Sequence, residues 1–322
     1  MIKYGYIEKS YYKKEFGILK SNIMRGNIGY WFNKQFLKNY DEEKLLKDRK
    51  DKQGKKLFSY WVANQVAPAL NANFDYYKKF QVFLPEGVEV NSNLNDNNIY
   101  VFKLTTTYPG LVCGIGYEHK IGFEGEFKLG FSFDYTTGMP YIPGSSIKGT
   151  LHSVFRYQEY LNKIMPDVLM KAKEENKQIK NDDLAEINWH ILEYCIFEGK
   201  NYNGTMKGNI YAKDVFFDAF IINTVQENKW HFLADDYITS HQSENHKMSP
   251  FKEPNPVRFI KVRSGVDFYF QFCLHDEIMP NGRVFTATMK KELFQLILQD
   301  CGLGAKTNVG YGQFNGINQP DQ

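Results

Sequence analysis

Two glycine-containing segments that lie far apart in the chain carry the residue types best suited to binding phosphate. Residues 141–156 read YIPGSSIKGTLHSVFR, and residues 302–312 read GLGAKTNVGYG. Glycine lets another group approach the backbone closely, and the N–H groups at the start of a helix can donate hydrogen bonds to an anion. Both segments therefore suit contact with phosphate groups, and neither is a nucleotide-hydrolase signature.

The first segment predicts a helix over residues 145–157. We expect Pro143 and Gly144 to end the preceding strand and Ser145 or Ser146 to cap the helix. Helical spacing then gives a buried stripe, formed by Ile147, Leu151, Val154 and Phe155. A neighbouring stripe, free to remain exposed, is formed by Lys148, His152 and Arg156. A capped core helix with ordinary surface charges accounts for this pattern about as well as phosphate binding does.

The second segment resembles a Walker A loop but lacks its defining residues. That loop requires GxxxxGK[ST] between a strand and a helix. Here Ala305 precedes Lys306, Asp300 takes the place of the first glycine, and the segment follows an amphipathic helix. A glycine-rich turn with Lys306, Thr307 and Asn308 as polar arms suits a sugar–phosphate backbone better than a single nucleotide. A tight connection between a helix and a strand is the alternative.

Other residues with chemical potential are scattered. Four histidines could supply acid–base chemistry for RNA cleavage, although an ordinary structural role is favoured for each: His119, His152, His241 and His246. Asp218 is expected to be a carboxylate at a strand end or a turn. The four cysteines form no CxxC pair, which predicts free thiols in a reducing compartment. No metal site and no cofactor are predicted.

The charge distribution is more informative than the net charge of +3. Residues 1–60 hold 15 Lys or Arg against 7 Asp or Glu, whereas residues 61–256 hold 18 against 24. The basic N-terminal part suits a local anionic contact, or is simply a solvated charged helix. No apolar run approaches the roughly 20 residues of a membrane span, so we expect a cytoplasmic protein without a membrane partner.

The order of elements after residue 98 predicts an α+β fold. A strand over residues 99–107, the first helix, further strands, a final helix ending at Gly302 and a strand over residues 311–316 follow one another. This order suits a ferredoxin-like βαββαβ fold, with an antiparallel sheet and helices on one face. A second domain boundary is not predicted within residues 99–322.

Three parts of the chain are predicted to be additions to that core. Residues 1–98 read as a helical, basic extension that packs on the core, and residues 158–209 read as a polar insertion with a helix near 182–197. Residues 235–256 show no periodicity and are predicted to be a long loop, which at this length is usually functional or disordered. Two strands joined at Ser264 and Gly265 follow that loop.

The two glycine-containing segments also resemble a known family. PYIPGSSIKGTLHSVFR is similar to the conserved segment of the RAMP superfamily of CRISPR systems, and GLGAKTNVGYGQF is similar to its C-terminal glycine-rich loop. The stretches GLVCGIGYEH, FDYTTGMPYIPGSS, VFFDAF and DDYIT…H…PFKEPNPVRFIKV narrow the resemblance to the Cmr subunits of type III-B effector complexes. The resemblance covers residues 99–316 and implies a single RRM-like domain with insertions.

The resemblance also implies a function and a set of contact residues. It implies a non-catalytic structural subunit that holds crRNA near its 3′ end, beside the guide–target duplex and next to the repeated backbone subunit and the end-capping subunit. The RNA-binding residues that it implies are Gly144, Ser145, Ser146, Lys148, Gly149, His152 and Arg156 on one side, and Gly302, Gly304, Lys306, Thr307, Asn308, Gly310 and Tyr311 on the other. A thumb-like loop would include Tyr237, His241, His246 and Lys252.

One position departs from the family pattern, and two alternatives remain open. Many members place an arginine a few residues after the lysine, where this chain has His152, with Arg156 one turn later. A crRNA-processing endoribonuclease of the same superfamily would use His119 or His152 as a general base, and would cut repeat RNA without metal. The end-capping subunit of a Csm complex would differ in the proteins that co-purify with it.

Overall fold

We analysed a computed structural model of the chain, which describes its central and C-terminal parts. The described residues are 98–114, 128–129, 132–134, 140–177, 179, 187–209, 212–224, 232–240 and 255–316. The predicted N-terminal extension, apart from Asn98, therefore lies outside the described residues.

A seven-stranded sheet forms the centre of the described structure. Its strands run in the spatial order β12-β1-β9-β6-β4-β3, and β5 pairs with one end of β9. The strands are β1 (Ile99–Thr106), β3 (Ser132–Phe133), β4 (Pro140–Ile142), β5 (Val215–Phe216), β6 (Ala219–Thr224), β9 (Val266–Cys273) and β12 (Phe314–Gly316). Four helices accompany them: α1 (Gly144–Val154), α2 (Gln158–Glu175), α3 (Trp189–Phe197) and α4 (Ala287–Cys301).

The path of the chain through this sheet is that of a ferredoxin-like fold. In chain order β1, α1, β6, β9, α4 and β12 give βαββαβ, and the four strands lie in the order β12-β1-β9-β6. Each pair of neighbours among these four strands is antiparallel. The predicted α+β fold is thereby confirmed, and the first helix begins at Gly144 and ends at Val154.

Strand β9 shows why one face of the sheet is covered by helices. Its residues alternate strictly between buried and half-buried, so Val266, Phe268, Phe270 and Phe272 all project to one side. The ring of Phe102 on β1 stacks on those of Phe270 and Phe272, with centroids 5.3 and 5.4 Å apart. Burying each such side chain contributes about 1.5–3 kcal/mol, so this face anchors the core.

Helix α4 ends where its sequence predicts, and a side-chain cap marks its start. The Thr286 hydroxyl accepts a hydrogen bond from the backbone N–H of Met289 at 3.2 Å, which caps the first turn. Gly302 follows the last turn with φ of 69°, a conformation that favours glycine, and donates its N–H to the carbonyl of Leu298. The predicted glycine cap is confirmed.

A second, three-stranded sheet corrects the prediction for residues 235–256. Strands β7 (Leu233–Ser240) and β8 (Asn255–Val262) pair antiparallel along their full lengths, and β2 (Lys128–Leu129) pairs with β8. The first and last residues of the predicted loop are therefore strand, held by pairing between residues distant in sequence. Residues 241–254 lie outside the described residues.

The connection at Ser264 and Gly265 links two sheets rather than forming a hairpin. Strand β8 belongs to the three-stranded sheet, whereas β9 lies at the centre of the seven-stranded sheet. The Thr106 hydroxyl stabilises the crossing, because it donates to the carbonyl of Arg263 at 2.6 Å and accepts from the N–H of Val266 at 3.0 Å. The two sheets consequently meet beside the end of β1.

The stretch 158–209 is an insertion in chain order, but its helices belong to the core. Leu161 and Val168 of α2, and Leu192 of α3, are fully buried. Helix α3 begins at Trp189, later than the predicted residue 182, with Asn188 as its side-chain cap. The residues from 181 to 186 lie outside the described ranges. A short hairpin of β10 (Glu277–Ile278) and β11 (Val284–Phe285) completes the described elements.

A buried ion-pair cluster joins α4 to the segments that follow α3. The ammonium of Lys290, which is fully buried, lies 2.5 Å from an Asp214 carboxylate oxygen and 2.9 Å from one of Glu277. Lys207 lies 2.5 Å from the same Glu277 oxygen. Burial acts to raise the pKa of Asp214, but Lys290 and the hydrogen bonds from His275 outweigh it, so the pKa lies below its ordinary value.

We predict that Lys290→Met lowers the free energy of unfolding by about 3–5 kcal/mol, because it leaves two buried carboxylates without their shared cation. The depressed pKa of Asp214 stabilises the wild type above about pH 4, and this contribution is lost as the pH falls further. Urea unfolding at pH 7 and at about pH 2 measures both effects. Lys163→Met, at an exposed lysine of α2, is the control and changes stability by less than about 0.5 kcal/mol. Equal stability of the two variants would contradict the prediction.

Candidate nucleic-acid interface

The glycine-rich segment after α4 is held by backbone hydrogen bonds to the chain that follows β1. Leu303 N–H donates to the carbonyl of Gly312, and Gly312 N–H donates to that of Gly110, both at 2.8 Å. Ala305 N–H donates to the carbonyl of Val112 at 2.7 Å. We call residues 302–312 the glycine loop. Backbone hydrogen bonds therefore hold it at both ends.

Two glycines permit this close contact. A Cβ atom on Gly312 would lie 2.0 Å from the carbonyl oxygen of Leu303, and one on Gly304 would lie 2.5 Å from that of Val112. Both residues also have positive φ, 73° and 103° respectively, which strains other residues. Glycine is therefore required here for backbone approach within the protein, and not only for approach of a ligand.

The tip of the glycine loop presents backbone donors to the surface. Lys306 adopts the left-handed conformation with φ of 63°, and Thr307–Val309 form one 3-10 turn. The N–H groups of Lys306, Thr307 and Asn308 have no partner among the described residues. Lys306 and Asn308 are exposed, and Thr307 is half-buried. Successive free N–H groups beside a lysine form a concavity that suits an anion.

The start of α1 differs from its prediction, because neither serine caps it. Pro143 occupies the cap position without a side-chain hydrogen bond. Instead Asp218, in the turn between β5 and β6, accepts the N–H of Gly144 at 2.7 Å. Asp218 is thus the turn carboxylate that the sequence predicts. Gly144 is buried, and a Cβ there would lie 2.2 Å from the carbonyl oxygen of Phe216, so its role is packing.

A cleft of about 770 Å³ opens between α1 and the glycine loop. Small and hydroxyl-bearing residues dominate its walls, and no lysine, arginine, aspartate or glutamate of the described ranges lines it. We call it the hydroxyl cleft. Its lining residues are Cys113, Gly114, Ser132, Tyr141, Pro143, Ser145, Ser146, Gly149, Thr150, Ser153, Gly304 and Ala305. The fold therefore brings parts of both glycine-containing segments to one cleft, with Lys306 directly after its last lining residue.

The floor of the hydroxyl cleft is neutral. Burial raises the pKa of the Cys113 thiol to about 11, although a hydrogen bond with Ser146 opposes the shift. At neutral pH the thiol therefore stays protonated and is a poor nucleophile. Gly149 lies in the wall of the cleft, and no atom would lie within 4 Å of a Cβ there. The cleft is therefore lined by hydroxyl groups and has open space at Gly149. Among the described residues, charged side chains lie only at its rim.

Two sequence-predicted residues of α1, Lys148 and His152, contact neighbouring elements on another flank of the helix, away from the cleft walls. The Lys148 ammonium lies 5.8 Å from the ring centroid of Phe216. His152 stacks on Phe197 with centroids 4.8 Å apart, and its Nε2 lies 2.8 Å from a Glu193 carboxylate oxygen. Arg156 is exposed beyond the end of α1 and donates from Nε to the carbonyl of Ser153. The spacing by four places Lys148 and His152 on one flank, beside β5 and α3, whereas Arg156 contacts Ser153.

The side chain of Tyr311 is buried, which corrects its assignment to an RNA-facing surface. Its hydroxyl donates to an Asp236 carboxylate oxygen at 2.6 Å, and the Lys261 ammonium lies 5.4 Å from its ring centroid. Burial, the Asp236 carboxylate and the nearby Tyr108 phenol raise the pKa of Tyr311. This contact ties the glycine loop to β7 and β8. Gly302 is also buried, whereas Gly310 is half-buried.

Of the residues predicted for a thumb-like loop, only Tyr237 is described. It lies on β7 and its side chain is 54% exposed. His241, His246 and Lys252 lie outside the described residues, as does His119. No three His, Cys, Asp or Glu side chains within the described ranges could together hold a metal ion. None of the four described helices has the length and apolar character needed to cross a membrane.

Sequence reasoning missed the wall that follows β1. Cys113 and Gly114 line the hydroxyl cleft, and the carbonyls of Gly110 and Val112 hold the glycine loop. The glycine at position 110, with φ of 118°, would carry a Cβ only 2.2 Å from the Val262 carbonyl oxygen. Repeated glycines after a strand were the available signal, because they indicate close backbone approach.

Comparison with known proteins gives one family match and several similar proteins. The sequence profile of the RAMP superfamily matches residues 103–315, which is more than half of the chain. The chain is 30% identical over 239 residues to the CRISPR system Cmr subunit Cmr6 of Pyrococcus furiosus, and spans 65% of the length of that relative, over 64% of its own.

Two solved structures are similar at lower sequence identity. A chain in a cryo-EM structure of the type III-B Cmr-beta complex bound to cognate target RNA is 18% identical, with a TM-score of 0.49 over 95% of this chain and 93% of that one. The crystal structure of Cmr6 from Pyrococcus furiosus is 20% identical, with a TM-score of 0.30 over 68% of this chain and 97% of that one.

We predict opposite effects for alanine at two glycines of the cleft. Gly304→Ala lowers the free energy of unfolding by about 1–3 kcal/mol, because of its positive φ and its contact with the Val112 carbonyl oxygen. Gly149→Ala is the matched control and raises it by up to about 1 kcal/mol, since alanine favours an exposed helical position. Urea unfolding of both variants provides the measurement. A Gly304→Ala protein as stable as wild type would show that the loop contact is not tight.

Proposed function

The chain belongs to the RAMP superfamily, and we propose that it is a non-catalytic, RNA-binding subunit of a type III-B (Cmr) CRISPR effector complex. Its 30% identity to Cmr6 favours the sixth Cmr subunit over a subunit of a Csm complex. In this role it holds the crRNA near its 3′ end and the adjoining guide–target duplex. Its protein partners are the repeated backbone subunit and the end-capping subunit.

The hydroxyl cleft is the observation on which the proposal depends. Ser145, Ser146 and Gly149 of α1 lie on one side, and Gly304 and Ala305 of the glycine loop lie on the other. These residues come from two segments about 150 residues apart that both suit phosphate contact. An extended sugar–phosphate chain that passes between them has donors on both sides.

The donors suit phosphates better than bases. The N–H groups of Lys306, Thr307 and Asn308, at the tip of the loop, and that of Ser145 have no partner among the described residues. Backbone N–H groups, hydroxyls and one lysine position an RNA without reading its sequence. We therefore expect RNA binding that is weakly sequence-selective and sensitive to salt.

The described geometry favours holding RNA over cutting it. A metal-independent endoribonuclease needs a general base within hydrogen-bond reach of the proton that it abstracts. His152 lies against Glu193 and Phe197, outside the cleft walls, and the Cys113 thiol is protonated at neutral pH. Neither residue therefore offers a base beside the proposed RNA path. Lys148 and Arg156 contribute positive charge to the flank of α1 and are assigned to a peripheral phosphate contact.

We predict that Lys306→Glu weakens binding of single-stranded RNA by about tenfold at low salt, since it replaces a phosphate contact by a repulsive charge. The slope of log affinity against log salt falls by about 0.7 if one phosphate contact is lost. Fluorescence anisotropy of the full chain with labelled RNA measures both quantities, and the RNA is recovered uncut.

Lys163→Glu is the matched control, because it makes the same change of charge at an exposed lysine of α2. Lys148→Glu, tested alongside, has a smaller effect than Lys306→Glu, in keeping with its place outside the cleft walls. Equal losses for Lys306→Glu and Lys163→Glu would mean that net charge, and not the glycine loop, determines binding.

A further inference from the structure

Tyr108 has an unusually exposed side chain for an aromatic residue. It is 86% exposed, the largest fraction among the exposed large apolar residues of the described ranges. The residues that follow it are well anchored, because Leu111 exchanges two backbone hydrogen bonds with Val262, at 2.8 and 3.0 Å. The ring is therefore presented to solvent by a fixed backbone.

The anchor places Tyr108 beside the glycine loop. Thr107 N–H donates to the carbonyl of Gln313 at 3.0 Å, and a Cβ on Gly310 would lie 3.4 Å from the ring of Pro109. Tyr108 directly precedes Pro109 in the chain. Val309, which is 66% exposed, directly precedes Gly310. An exposed aromatic ring and an exposed apolar side chain thus flank the end of the 3-10 turn.

The same turn carries the free backbone donors. Lys306 and the N–H groups of residues 306–308 directly precede Val309. Polar groups and an apolar side chain therefore lie within a few residues of each other. A nucleotide has the matching chemistry, because a charged phosphate and an apolar, planar base are joined through one ribose. Aromatic rings beside a cationic groove are how single-stranded nucleic acids are commonly bound without sequence preference.

We propose that Tyr108 is a stacking platform for an unpaired nucleobase of the RNA whose phosphates contact the glycine loop. This inference rests on the proposed function. It adds that the surface beside the glycine loop accepts a planar base as well as phosphate. A protein partner would also cover an exposed tyrosine, but the adjacent anion-binding donors favour a nucleotide. Any of the four bases suffices, since stacking uses the face of the ring.

The test compares RNA that has bases with RNA that lacks them. Anisotropy titrations use the full chain with a labelled oligoadenylate and with an abasic ribose–phosphate chain of the same length. We expect Tyr108→Ala to weaken oligoadenylate binding by about tenfold and to leave abasic binding unchanged, because only the base stacks. Tyr108→Phe keeps wild-type affinity for both, since the ring is retained.

Two controls separate stacking from general effects. Tyr202→Ala removes another exposed tyrosine, in the turn after α3, and leaves both affinities unchanged. Lys306→Glu weakens both RNAs alike, because it acts on the phosphate. Tyr108 is exposed, so its alanine variant is expected to retain the wild-type unfolding midpoint, which is measured alongside.

The outcomes distinguish this inference from the proposed function. If Tyr108→Ala binds oligoadenylate as well as wild type while Lys306→Glu does not, stacking is refuted and the RNA-binding function stands. If Tyr108→Ala changes only association between protein molecules, the residue is a protein contact and the inference is overturned. If wild type binds neither RNA, the proposed function and the inference both fail.

Discussion

The contact between the glycine loop and the backbone that follows β1 is the constraint on which the candidate interface depends. Carbonyls of Gly110 and Val112 accept N–H groups of the loop, and a Cβ on Gly304 would lie only 2.5 Å from the Val112 oxygen. This contact joins backbone to backbone, and the buried Tyr311 side chain adds a second tie to Asp236 of β7. This contact positions three features of the interface: the hydroxyl cleft, the free donors at residues 306–308 and the exposed ring of Tyr108.

The topology of the sheet brings these pieces together. Strands β1 and β12 are neighbours, and Thr106 at the end of β1 pairs with Phe314 at the start of β12. The segments just after β1 and just before β12 must therefore meet at one edge of the sheet. Helix α1 packs its Ile147 and Leu151 into the core, which leaves its serines and Gly149 facing the same edge. A ferredoxin-like core thus assembles an interface from segments far apart in sequence.

Local patterns in the sequence predict the elements but not their partners. The alternation in β9 and the cap at Gly302 follow from short-range rules, and the structure confirms them. The placement of β8 and β9 in two different sheets does not follow from short-range rules, because Ser264 and Gly265 are equally typical of a hairpin. Spacing by four groups Lys148 with His152 but cannot say which neighbour they face. With many phenylalanines and tyrosines in the chain, buried Tyr311 and exposed Tyr108 are indistinguishable without coordinates.

Crosslinking is the most direct test of whether RNA passes between α1 and the glycine loop. The full chain is bound to RNA that contains 4-thiouridine, irradiated, digested and analysed by mass spectrometry. We predict crosslinked peptides from residues 302–312 and also from residues 144–156, because both segments border the hydroxyl cleft. Crosslinks confined to other parts of the chain would contradict the assignment of the cleft as the RNA path.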